Sequence, residues 1–91
     1  MPATNRIKKL IKENTIHVGM SRQALVNLLG EPEDTSYTTR KIRIPLIWKY
    51  SGIEFHWIPK EDSLWLVIEA NDSKHHTTLL IDHTAVKSNI S

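Results

Sequence analysis

Residues 19–32, Gly-Met-Ser-Arg-Gln-Ala-Leu-Val-Asn-Leu-Leu-Gly-Glu-Pro, specify one helix at both ends, and this constrains the fold more than any other stretch of the chain. Ser21 suits the N-cap, because its hydroxyl can accept one of the amide hydrogens that the first turn leaves without a partner. Ala24, Leu25, Leu28 and Leu29 recur at helical spacing and form the stripe to be buried, with Met20 placed just before the cap to staple the entry. Gly30 offers the left-handed residue that closes the last turn, and Pro32 keeps the helix from resuming.

A second pattern follows. From Lys41 to Tyr50 the residues alternate with a period of two, so that Ile42, Ile44, Leu46, Trp48 and Tyr50 point one way, as in a half-buried strand. Pro45 has no amide hydrogen and marks a sheet edge or a bulge. Ser51-Gly52 reads as a two-residue hairpin turn before Ile53-Glu54-Phe55-His56-Trp57-Ile58. A two-residue turn sets the register by arithmetic: Tyr50 opposite Ile53, Lys49 opposite Glu54, Trp48 opposite Phe55, Ile47 opposite His56 and Leu46 opposite Trp57. One face then stacks aromatic rings, and the other carries an opposite-charge pair worth about 0.2–1 kcal/mol.

Before the capped helix, Ile7, Leu10 and Ile11 lie at i, i+3, i+4 among Arg6, Lys8, Lys9 and Lys12, the pattern of a short amphipathic helix. Residues 31–36 read as an acidic, polar turn. After the hairpin, the turn 59–63 leads to Leu64-Trp65-Leu66-Val67-Ile68-Glu69-Ala70, with Leu64, Leu66 and Ile68 expected on the core side. A fourth, weaker strand is expected near 75–82 with Leu79 and Ile81 inward, followed by a frayed tail. The predicted architecture is α+β in a single domain, 1–91. Two short N-terminal helices, about 4–13 and 21–29, pack on one face of a three- to four-stranded antiparallel β-meander with strands about 37–50, 53–58, 64–70 and 75–82.

Composition sets the bounds. With 91 residues, 40% of them apolar and three of them Trp, the chain has the makeup of a folded domain with a thin core. A formal charge of +2 is too slight to imply nucleic acid by itself. The lack of cysteine removes disulfides, thiolate metal sites and a thiol nucleophile, and fits a cytoplasmic address. Lys8, Lys9, Lys12 and Glu13 interrupt the apolar residues near the start, so neither a signal peptide nor a membrane span is expected.

The helix 19–32 followed by a strand ending Trp48-Lys49-Tyr50 resembles the SmpA/OmlA-like small outer-membrane lipoproteins and, more distantly, the repeats of β-lactamase-inhibitory protein. The likeness covers roughly 16–68 and implies two short helices against a three-stranded antiparallel sheet. The lipid-acceptor Cys is missing and residues 37–43 differ, so an outer-membrane role is not carried over. The stretch from Leu29-Gly30-Glu31-Pro32 through Ile47-Trp48-Lys49-Tyr50 to Glu54-Phe55-His56 also looks like small bacterial proteins of unknown function. Such folds imply protein binding through the sheet or its loops.

Catalytic patterns are weak. No Gly-x-Ser-x-Gly elbow frames a nucleophile, and the three glycines are too scattered to cradle a phosphate. Glu54 and Glu69 could converge as an acid/base pair, but Lys49 opposite Glu54 gives that carboxylate a plainer role. Adjacent His75 and His76 would point to opposite sides of a strand, and with His83 and Asp82 they do not complete a four-ligand metal set. No catalytic residue, metal or cofactor is therefore expected, and the chain is read as a non-enzyme.

The feature that bears on function is the sheet side away from the helices. Ile47, His56, Ile58, Trp65 and Val67 are expected there, with Arg43, Lys49, Glu54 and Glu69 as a charged rim. That pattern suits an unknown protein partner or self-association on this face or the sheet edge near Pro45, an inhibitor or immunity-like role being one form of it; the alternative is that the fourth strand, residues 37–43 or the tail folds over the face and buries it. The competing reading is a weak nucleic-acid binder using Arg6, Lys8, Lys9, Arg40, Lys41 and Arg43. Against it, neither basic group has the interleaved aromatic residues that stack on bases.

Overall fold

The computed structural model describes residues 3–37, 45–72 and 74–83. Among the described residues two helices, α1 (Ala3–Lys12) and α2 (Arg22–Leu29), precede five strands: β1 (Asp34–Ser36), β2 (Ile47–Tyr50), β3 (Ile53–Trp57), β4 (Leu64–Ala70) and β5 (His76–Ile81). The strands form one antiparallel sheet in the order β1-β2-β3-β4-β5. The fold is α+β, with five strands where three or four were expected.

Local chemistry sets the helix ends. Asn14 adopts φ 62° just past α1, and the N–H groups of Thr15 and Ile16 close back on the Leu10 carbonyl at 2.9 and 3.1 Å. Asn is one of the few side chains that tolerate this left-handed position. At α2, Ser21 Oγ accepts from the Ala24 N–H at 3.2 Å, and Gly30, at φ 82°, donates its N–H to the Val26 carbonyl at 2.7 Å. Arg22 anchors the start of α2, because its backbone N–H and its guanidinium both donate to Asp62 Oδ1, at 2.8 and 3.1 Å. Those bonds, the backbone one foremost, hold the Asp62 carboxyl below the usual carboxylate range. The same guanidinium lies 5.0 Å over the Trp57 ring.

The hairpin keeps the register that its turn dictates, with Ile47, Trp48, Lys49 and Tyr50 opposite His56, Phe55, Glu54 and Ile53. Ser51 takes the left-handed conformation, φ 54°, and Glu33 Oε2 accepts from its N–H at 3.1 Å. Tyr50 donates its hydroxyl to the Gly30 carbonyl at 2.7 Å, which joins β2 to the end of α2. Burial, helped by the charge of Glu31, pushes the Tyr50 phenol up to about 12.

Three expectations change. Residues 34–36, read as part of a turn, are strand β1, because the Glu33 N–H donates to the Lys49 carbonyl and the Leu46 N–H to the Ser36 carbonyl. Pairing along an available edge outweighs the poor strand propensity of Asp34. The long strand expected over 37–50 is β2 only from Ile47, and 38–44 lie outside the described residues.

The third change concerns β4 and β5, which each carry one extra residue. His56 pairs with Leu66 but Trp57 with Leu64, so Trp65 is a bulge; Val67 pairs with Leu80 but Ile68 with Thr78, so Leu79 is another. A bulge shifts the alternation by one. Leu64 keeps its inward position, but Val67 is inward with no exposure, while Leu66 and Ile68 fall on the opposite face. Ile81, expected inward, pairs with Leu66 and is 36% exposed.

One buried cluster unites Ile7 of α1, Leu25 of α2 and Ile16 and Met20 between them with Leu46, Tyr50, Ile53, Phe55, Trp57, Leu64 and Val67. Tyr50 and Trp48 meet Phe55 and Trp57 edge to face, at ring centroid distances of 5.4 and 5.1 Å respectively. At the border of this face, Lys8 of α1 reaches Glu69 of β4 at 2.9 Å.

Candidate functional site

Residues paired across an antiparallel sheet share a face, so the register assigns each side chain to one side. Thr35, Trp48, Phe55, Val67 and Leu80 form one row, and Phe55 and Val67 place that row on the core. Two rows lie on the other face. One runs Ser36, Ile47, His56, Leu66, Ile81; its neighbour runs Asp34, Lys49, Glu54, Ile68, Thr78. The bulge at Trp65 brings that ring edge-on to His56, with centroids 6.3 Å apart and planes at 82°.

His56 sits at the centre of this face. Its Nε2 is 3.2 Å from Glu54 Oε1, with the two side chains 17% and 27% exposed. Burial holds the imidazole below its ordinary value and the charge of His76 adds to this, while the hydrogen bond and charge of Glu54 oppose it. Burial thus disfavours the protonated ring, whose register neighbours Ile47 and Leu66 and ring partner Trp65 are apolar. Lys49 stands between Asp34 and Glu54 in register, so the second row alternates in sign.

A His–Glu pair can move a proton, but among the described residues His56 hydrogen-bonds to Glu54 and to no hydroxyl that it would activate. Among the described residues no group of three or more His, Cys, Asp or Glu is placed to hold a metal ion. His75 is occupied by Asp72, its Nδ1 3.1 Å from the carboxylate. No helix among the described residues is long and apolar enough to cross a membrane.

Of the residues expected on this face, Ile47, Lys49, His56 and Trp65 are brought together. Ile58 is half-buried one residue beyond β3. Val67 belongs to the core, because the Trp65 bulge reverses its side, and it leaves the candidate site. Arg43 lies outside the described residues, as do Arg40 and Lys41. Glu69 is paired with Lys8, and Arg6 donates to the Leu28 carbonyl at 3.3 Å, so part of the basic helix face is engaged within the molecule. Leu66, Ile68 and Ile81 are the members that sequence reasoning missed. Residues 64–68 are apolar at both parities, so hydropathy carries no signal for them. No family model, curated protein or solved structure matches the chain.

Proposed function

We propose that this chain is a non-catalytic, cytoplasmic protein-binding module. Its two helices close one face of the sheet, and a protein partner docks on the other. The carrying observation is that Ile47, Leu66, Ile68 and Ile81 share the face that bears His56 and Trp65, with Ile81 exposed and the others half-buried. The row Asp34, Lys49, Glu54 beside it supplies alternating charge for orientation. A Trp within an apolar patch that has a charged margin is the composition of interface hot spots. The resemblance of residues 16–68 to those repeats is the ground for proposing, as one form of this binding, an inhibitor or immunity-like role.

The test is capture on immobilised protein, comparing wild type with Trp65→Ala and Ile68→Asp, each first shown by circular dichroism to be folded. The expected result is a partner held by wild type and lost from both variants. A partner held equally by all three removes the face from consideration. Capture abolished by nuclease would favour the basic residues of α1 instead.

A further inference from the structure

Two half-buried charges of this chain have an opposite charge at hand. Glu69, 19% exposed, meets the Lys8 ammonium at 2.9 Å, and the Arg22 guanidinium, 23% exposed, meets Asp62 at 3.1 Å. Glu54, on the face of the sheet that bears His56, is placed differently. Its side chain is 27% exposed, and its Oε1 lies 3.2 Å from His56 Nε2, on a ring whose protonated form burial disfavours. Lys49 stands opposite Glu54 in the register, yet among the described residues no Lys or Arg forms an ion pair with this carboxylate.

The row that holds Glu54 has two carboxylates, Asp34 and Glu54, against the one ammonium of Lys49, and the row of His56 beside it has no Lys, Arg, Asp or Glu. The two rows are therefore net negative on a chain whose formal charge is +2. A surface laid over them takes water away from Glu54. Against apolar groups that carboxylate would lose its hydration without compensation, and against another carboxylate it would be repelled as well. A cation turns the same step into attraction. Arginine suits it better than lysine, because its guanidinium is the more weakly hydrated and its fork offers two N–H donors to one carboxylate. Its aliphatic stem can also lie along apolar neighbours such as Ile68, which pairs with Glu54 across β3 and β4.

We infer that the occupant of this face is a protein that sets an arginine against Glu54, approaching over Ile68 on the side away from Lys49. The inference rests on the binding role proposed above and gives the partner a chemistry. Lys49, on the neighbouring strand β2, repels a cation that approaches from its own side, which confines the arginine to the Ile68 side.

An NMR titration of the whole chain with two peptides, acetyl-Leu-Arg-Leu-amide and acetyl-Leu-citrulline-Leu-amide, tests it, because citrulline has the outline of arginine without the charge. The arginine peptide should shift the amide signals of Glu54, His56 and Ile68 with a Kd of about 1–10 mM, and the citrulline peptide should bind at least about fivefold more weakly. Glu54→Gln, shown by circular dichroism to be folded, should erase the difference between the peptides. Two peptides that bind wild type equally, or an arginine peptide that shifts none of the three signals, overturn the inference, and that comparison needs no variant. In the capture experiment above, a partner released by Trp65→Ala but held by Glu54→Gln overturns the arginine and leaves the docking face standing. A dimer in sedimentation that Glu54→Gln dissolves would make a second copy the source of the arginine, and overturns the separate partner.

Discussion

Val67 and Ile68 are chain neighbours of similar size, yet Val67 is sealed in the core between Phe55 and Leu80, whereas Ile68 sits half-buried between Glu54 and Thr78. The same contrast separates Phe55 from His56. The sheet thus carries apolar side chains on both faces, but their surroundings differ. Phe55 and Val67 of one face share a buried cluster with Ile7, Ile16, Met20 and Leu25, and the other face mixes aliphatic, aromatic and charged groups. Hydrophobicity by itself therefore does not identify the core of so small a domain; the register does.

That contrast can be broken most strongly at the core. Phe55→Ala should cost about 3–5 kcal/mol in urea unfolding, from lost burial and the cavity left behind. Val67→Ala should cost about 2 kcal/mol and Ile68→Ala about 1, since half-buried methyl groups lose less on truncation. Equal losses at these two positions would mean that the faces are not distinct in energy. Tyr50→Phe should cost about 1 kcal/mol through the missing hydrogen bond to Gly30.

The smallest effect is the pH dependence of His56. Its pKa is depressed in the folded state, so below about 6.5 the unfolded chain binds more protons than the native one. Its contribution to stability is complete above that value and is lost as pH falls through the depressed one. His56→Gln should flatten this part of a stability profile measured from pH 8 to 5. A slope unchanged by the substitution would assign it to other groups.

These experiments also bear on what could be read in advance. Both helices were legible because Ser21, Gly30 and the stripes of Ile7 and Leu25 act locally, and the hairpin register because Ser51-Gly52 leaves one arithmetic. Ile47, Lys49 and His56 were placed correctly for that reason. β1 was hidden because Asp34 and Ser36 favour turns in isolation and become a strand only beside β2. The sides of Leu66, Val67, Ile68 and Ile81 were hidden by Trp65 and Leu79, since a bulge is decided by how two strands meet and leaves no mark in a run such as Leu-Trp-Leu-Val-Ile.

The strand order has a consequence for the speed of folding. Every strand pairs only with its neighbours along the chain, and the loop joining β2 to β3 is two residues long. Closing such loops costs little entropy, so the sheet can zip outward from the Tyr50–Ile53 end without waiting for a distant segment to arrive. Refolding on the order of milliseconds is expected of such a mixed topology. A chain that assembles its sheet this quickly spends little time with its apolar strands open to other molecules.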